Sequence, residues 1–459
     1  MIKKFLLTLL IVGLSVFGYY YQDISKTLNT ATGYAAKNLC SGHFNSGYPL
    51  EQLMAEALVP VNPALGYVSY EKDAAEQAIH THIFGLKSRT AKYRPGMGCT
   101  LLGVGQESLS GSIVRLQQSA PDPSIAWPEG NALAATKPDI DYQILAKAID
   151  DAFIEPTTGH RNTKAVVVIH KGELIAEQYA APISANTPSL SWSMAKSVTN
   201  LLIGTLVHKD KLDIMTPAPV AAWQADERAQ ITTDQLLRMS SGLAFNEDYG
   251  INTDVTTMLS NATSASDYAI NMPLAHPVDS HWAYSSGTTN ILTRIIFDTI
   301  GGSLQDKYDY ADEALFTPIG LQSATMETDG SNVFIGSSYF YATPHDWARL
   351  GQLMLQDGVW NGVRLLPEGW VDYSTQPTHT AANREYGAQF WLNSEPTNDY
   401  WTPPWPSVSN DAYFMNGYQG QVMIVIPAKE LVVVRLGYTA PGTDTGVNNL
   451  LEGIIKAIY

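Results

Sequence analysis

Cysteine is nearly missing from this chain: Cys40 and Cys99 are its two cysteines. No Cys-x-x-Cys occurs and neither has an evident histidine partner, so cysteine-based catalysis has no context here. Basic residues are also scarce, 28 Lys and Arg against 44 Asp and Glu, a formal charge of −16. That balance argues against a nucleic-acid phosphate ligand and against electrostatic docking on anionic lipid. No Gly-x-Ser-x-Gly elbow, phosphate loop or dinucleotide glycine fingerprint is present. His80-Thr81-His82 puts alternate histidines on one face of a strand with no third ligand near. No metal and no cofactor is expected. Internal repeats and low-complexity stretches are absent.

An apolar run stands at the N-terminus. Lys3 and Lys4 precede Phe5 to Gly18, and Tyr19, Tyr20 and Tyr21 follow. A positive stretch before an apolar one is the pattern of an export signal. No clean small-x-small cleavage site follows it. The run is short for a spanning helix, but the tyrosines suit a membrane interface. Residues 1–22 are therefore expected to be a signal peptide or a retained signal-anchor. The protein would then be exported to the periplasm or the outer face of the inner membrane, with a membrane tether if the segment stays. In an exported chain Cys40 and Cys99 most simply pair.

With 459 residues there is room for more than one core. Residues 23–135 read as a mixed segment: glycine and serine turns within Ala35–Leu58, a helical pattern at Leu50, Leu53, Met54 and Leu58, and a polar stretch from Asp73 to His82. Pro121-Asp122-Pro123 and Pro128-Glu129-Gly130 mark a boundary. Residues 136–459 read as one larger domain. Asp141–Phe153 is helical, Lys164–Ile169 and Leu174–Tyr179 form a hairpin, and a mostly helical region follows to about residue 355. Gln421–Ile426 and Leu431–Leu436 return as strands before an amphipathic terminal helix. The expected fold class is therefore α+β: an antiparallel sheet built from both ends of the domain, helices packed on it, and a mostly helical inserted subdomain. A site in the crevice between the two parts is the default expectation.

The chemistry centres on Ser191-Trp192-Ser193-Met194-Ala195-Lys196. Val198, Leu201, Leu202, Thr205 and Leu206 recur at helical spacing, so Ser193 and Lys196 share one face at the start of a helix. A serine hydroxyl is a weak nucleophile until its proton is taken. A lysine can take it when burial makes the amine neutral. Ser69-Tyr70-Glu71-Lys72 has the same spacing, but a polar, charged stretch follows it. Two further stretches have a chemical character: Tyr284-Ser285-Ser286-Gly287 before a helix, and Met415-Asn416-Gly417-Tyr418 before the penultimate strand.

These three stretches, in this order, resemble the serine β-lactamase and penicillin-binding-protein superfamily. The resemblance is greatest to its class C-related branch of esterases and 6-aminohexanoate-dimer hydrolases, over roughly residues 140–459. It matches Ser193 and Lys196 to the Ser-x-x-Lys motif, Tyr284-Ser285-Ser286 to Tyr-Ser-Ser, and Met415-Asn416-Gly417 to a degenerate Lys-Thr-Gly. It implies a small ester or amide substrate and an acyl-enzyme on Ser193. Lys196 would share the serine proton, and Tyr284 would act as a tyrosinate base with its pKa lowered by the lysine. Ser286 would orient the lysine, and the oxyanion would rest on the Ser193 N–H and one at Gly417 or Tyr418. The cation usual at the position of Met415 is missing, which disfavours the alternative of a D-alanyl-D-alanine carboxypeptidase or β-lactamase. A catalytically silent envelope binding protein is the alternative outside enzymes, and His281 leaves a histidine-based triad open. Tyr249, Trp391, Trp401, Trp405 and Asn416 are the expected pocket walls.

Overall fold

The computed structural model describes residues 2–115, 122–395 and 402–458, with side chains from Tyr21 onward. Pro121, Trp401 and the side chains of Lys3, Lys4, Tyr19 and Tyr20 lie outside the described residues. Among the described residues no helix is long and apolar enough to cross a membrane.

Helix α1 (Ile2–Phe44) passes through the expected boundary at residue 22 and continues where turns were expected from Ala35 to Phe44. Its glycines serve close packing instead. A Cβ at Gly33 would lie 2.7 Å from the Ser260 carbonyl, and one at Gly42 would lie 2.7 Å from the Leu53 side chain. Ala35, Ala36, Leu39 and Cys40 are fully buried. After the short α2 (Leu50–Leu53), α1 packs on a four-stranded antiparallel sheet of β1 (Ser69–Asp73), β2 (Ala78–Ile83), β3 (Lys87–Arg94) and β4 (Gly98–Leu101). Cys40 of α1 is disulfide-bonded to Cys99 of β4. Ser69 and Lys72 stand exposed on β1, where residues three apart point to opposite faces, so the second Ser-x-x-Lys cannot converge. His80 bonds Thr90 across the sheet.

Helix α3 (Tyr142–Ala152) follows, its first N–H groups capped by Asp141. Strands β5 (Thr163–His170) and β6 (Glu173–Tyr179) form the expected hairpin. The chain then leaves the sheet through β7 (Ser189–Leu190), α4 (Ala195–His208), α5 (Thr233–Leu237), α6 (Asp254–Ser260), α7 (Ala265–Ile270), α8 (Ser286–Ile300), α9 (Leu304–Ala311), β8 (Thr325–Met326), β9 (Phe340–Ala342) and α10 (Pro344–Leu355). A small hairpin, β10 (Val359–Trp360) and β11 (Val363–Arg364), and α11 (Trp370–Thr375) follow. The chain returns as β12 (Trp391–Leu392), β13 (Tyr413–Gly417), β14 (Gln421–Ile426), β15 (Leu431–Gly437) and α12 (Val447–Ala457). The main sheet runs β12-β13-β14-β15-β5-β6, antiparallel throughout, so strands from both chain ends meet at the β15–β5 pair.

Alternation along these strands divides the core. Val166, Val168, Ile424, Leu431 and Val433 cluster with residues of α3 and α12. Ala165, Val167, Ile169, Met423, Val432 and Val434 join the larger cluster that contains α4, α8, α10 and the buried part of α1. The N-terminal segment is thus continuous with the core of the domain.

Glu327, fully buried just after β8, ties the two parts together. It accepts from Lys37 Nζ at 2.6 Å, Ser41 Oγ at 2.9 Å, Asn45 Nδ2 at 2.8 Å and the Cys99 N–H at 2.5 Å. Removing one partner of a buried ion pair strands the other, at a cost of about 3–5 kcal/mol. Glu327→Ala is therefore expected to lose about that much stability in chemical denaturation. The paired Lys37→Met, Glu327→Leu replacement is expected to recover most of it. Equal losses in the two variants would show that the pair is not the source.

Candidate active site

The turn that presents Ser193 is held in a conformation it would not adopt alone. Trp192 has φ of +46°, in the left-handed region that bulky residues avoid. One tight turn (Trp192–Met194) then leads into α4. Several contacts hold Trp192 there. Its indole N–H donates to Gln419 Oε1 at 3.2 Å, and Gln419 Nε2 donates to the Ala57 carbonyl at 3.0 Å. Its ring stacks on Tyr34 of α1, centroids 6.1 Å apart. Before it, the Ser191 N–H donates to the Phe340 carbonyl at 2.9 Å, and β7 pairs with β9. Ser193 is left partly exposed while Ala195 to Leu206 are buried.

Lys196 lies one turn on, 1% exposed. Its ammonium donates to Ser193 Oγ at 3.1 Å, to Ser286 Oγ at 3.0 Å and to the Ser337 carbonyl at 3.0 Å. Burial lowers its pKa to about 8, against a smaller opposing pull from Glu247. At pH 7 about one amine in ten is then neutral. Glu247 makes no direct ion pair with the lysine. It accepts from Ser286 instead, at 2.6 Å from Oγ and 2.7 Å from the N–H at the start of α8. Ser286 thus links Lys196 to a carboxylate, and burial raises the Glu247 pKa against the pull of the lysine.

Tyr284 completes the group, with a correction to its expected state. Burial pushes its hydroxyl well above the ordinary phenol value, and hydrogen bonds from Ser193 and Trp391 only partly offset this. Lys196 sits over the ring face, 4.8 Å from the centroid. Burial thus favours the neutral phenol over the expected tyrosinate. Trp391 packs against it at 5.2 Å, and Tyr386 meets it edge-on at 5.7 Å.

The third motif flanks the turn. β12 pairs with Tyr413 and Phe414, and among the described residues the Met415–Gly417 edge of β13 has no strand partner on that side. Gly417 abuts the Ser191 carbonyl so closely that a Cβ there would collide with it. Tyr418 is 44% exposed, meets Trp192 edge-on and stacks parallel on the exposed Tyr249, centroids 6.5 Å apart. Met415 is fully buried in the larger core and offers no cation. Two pocket expectations need correction. Trp405 belongs to the smaller core, packed on Phe414 at 4.2 Å, with its backbone held by Asn393. Asn416 alternates to the face opposite Met415 and shares a hollow with Trp405 and Val447. Trp391 reaches both this hollow and Tyr284. His281 is exposed and stacks on His276 at 4.1 Å, so it does not supply a histidine base.

Sequence reasoning does not single out Glu247, Trp192 or Gln419. Glu247 stands beside Asn246 and Asp248 in a polar loop, and nothing local marks which carboxylate turns inward. Trp192 is visible in the motif, but its left-handed backbone is not.

The sequence profile of the Beta-lactamase family matches residues 149–452. The 6-aminohexanoate-dimer hydrolase of Paenarthrobacter ureafaciens is 24% identical over 341 residues, 69% of this chain and 79% of that protein. Among solved structures, the putative 6-aminohexanoate-dimer hydrolase of Bacillus anthracis aligns with a TM-score of 0.53 at 21% identity, over 75% of this chain and 87% of its own. A family VIII carboxylesterase aligns with a TM-score of 0.52 at 12% identity, over 71% and 99%. The profile spans well over half of the sequence, including Ser193, Lys196 and Tyr284 with the sheet that frames them, and the chain belongs to the Beta-lactamase family of serine hydrolases.

Proposed function

We propose that the protein is an exported serine hydrolase that cleaves small ester or amide bonds through an acyl-enzyme on Ser193. The observation that carries this reading is the Ser193–Lys196–Ser286–Glu247 chain of hydrogen bonds around an amine with pKa about 8. The neutral fraction of Lys196 takes the Ser193 proton as the hydroxyl attacks the carbonyl. The ammonium that forms is stabilised through Ser286 by Glu247. The oxyanion rests on the Ser193 N–H and an N–H at Gly417 or Tyr418. Tyr284, a neutral phenol, relays a proton to the leaving group, and water then releases the acyl chain.

One relative is a 6-aminohexanoate-dimer hydrolase and one structural neighbour a carboxylesterase, which supports substrates of these two chemistries. Buried Met415 argues against recognition of a substrate carboxylate, as a carboxypeptidase or β-lactamase requires. The intact group around Ser193 argues against a silent scaffold.

Hydrolysis of p-nitrophenyl acetate is expected to show a pre-steady-state burst that Ser193→Ala abolishes; equal rates in the two proteins would remove Ser193 from the mechanism. The acylation rate is expected to rise with pH through about 8, as Lys196 loses its proton. Glu247 holds that pKa up, so Glu247→Gln is expected to move the rise to lower pH; an unmoved profile would mean that the carboxylate does not act on the lysine. Tyr284→Phe is expected to slow turnover by about a hundredfold or more while the protein stays folded, as judged by thermal melting.

A further inference from the structure

We propose that the exposed apolar residues around the point where α1 leaves the body form a surface that rests on a zwitterionic lipid bilayer. Three segments converge there. Asn252 Nδ2 donates to the Asp23 carbonyl at 3.4 Å, which brings the loop carrying Ile251 against α1 beside Ile24. From another side comes the β2–β3 hairpin, whose Leu86 lines one hollow together with Asn29 of α1 and Val104. Phe84 at its tip meets Tyr67, centroids 5.9 Å apart. Exposure is 43% at Ile24, 66% at Tyr67, 69% at Phe84, 66% at Leu86, 51% at Val104 and 66% at Ile251. Scattered apolar residues on a surface need no explanation, but a cluster around one helix exit does.

Phe84 sharpens the point. It takes φ of +51° beside Gly85 at +67°, so the hairpin tip uses the left-handed region at both residues. Glycine, asparagine or aspartate suits such a position, and a bulky aromatic is strained there. Neither core packing nor backbone geometry accounts for a phenylalanine at this tip. An apolar phase outside the protein does.

The chain itself identifies the occupant. From beside these residues α1 extends back to Ile2, and no residue from Phe5 to Gln22 is charged. An uncharged helical stretch of this kind can enter the apolar side of a bilayer interface without crossing it. With Lys3 and Lys4 at the far end and apolar side chains around the near end, the bilayer is the partner continuous with both. The net charge of −16 selects zwitterionic over anionic lipid.

The test uses the full chain. Cys40 and Cys99 are paired and buried, so Leu86→Cys adds the one reactive thiol. The control is Val363→Cys, 59% exposed on the β10–β11 hairpin outside the patch. Each is labelled with an environment-sensitive nitrobenzoxadiazole dye and reconstituted in phosphatidylcholine vesicles. The label at 86 is expected to shift to the blue and to be quenched by doxyl-labelled lipid, while the label at 363 does neither. Adding Phe84→Ser and Ile251→Ser is expected to reduce the quenching at 86. No response at 86, or equal responses at both positions, overturns the proposal. A shift at 86 that grows with protein concentration without vesicles also overturns it, in favour of a second copy of the chain. None of these readouts depends on catalysis, so they stand apart from the assignment of Ser193.

Discussion

A buried ammonium without a carboxylate in contact is the constraint on which the catalytic side of this molecule depends. Lowering a lysine pKa from 10.5 to about 8 means that the charged form is disfavoured by about 3 kcal/mol relative to water. The unfolded chain binds the proton more tightly, so stability from this group rises with pH between about 8 and 10.5 and is lowest below that window. Three neutral oxygens, from Ser193, Ser286 and Ser337, hold the amine. Lys37 is held differently within the same chain. It is equally buried, yet it touches Glu327 at 2.6 Å, and its role is to join helix to sheet. Burial lowers the pKa of both lysines, and what differs is the contact: Lys37 meets its carboxylate directly, while Lys196 reaches Glu247 only through Ser286.

The geometry around that amine is imposed by distant parts of the chain. The segment before β9 supplies the Ser337 carbonyl, the start of α8 supplies Ser286, and the Glu247 loop closes the relay. Trp192 is kept in its strained conformation by Gln419, which is itself left-handed at φ of +60°, and by Tyr34. Strain of this kind persists where neighbours over-determine it, and here it turns the Ser193 hydroxyl out of an otherwise buried helix.

Much of this is legible in the residues. Alternation and turn chemistry are enough for the strands at both ends of the domain. Threonine and serine caps, such as Thr232 with Gln235, mark helix starts. Ser193, Lys196, Tyr284 and Ser286 come together as their spacing and context suggest. What is not legible depends on packing across long separations. The glycines of α1 read as turns because their neighbours, Ser260 and Leu53, are invisible locally. Trp405 and Asn416 read as pocket walls because they flank the third motif, but strand alternation and the core around α12 take them to the other side. The shift at Tyr284 follows from its burial, which spacing does not encode.

The attachment of the N-terminal segment also bears on the order in which the chain can acquire its structure. Cys40 and Cys99 are 59 residues apart and can meet early in synthesis, as can the strands between them. Lys37 and Glu327, however, are 290 residues apart, and Gln419 lies 362 residues beyond its acceptor on Ala57. Until those later residues arrive, α1 has a lysine on its buried face with no counter-charge, and the Tyr34 face has no Trp192 to cover. The early segment can therefore pre-assemble but not close, and the final closure over Ser193 waits for nearly the whole chain. Contacts of such long range slow folding and lengthen the time that apolar surface stays open. For this protein the last strands to be made are the ones that complete both the sheet and the seat of Ser193.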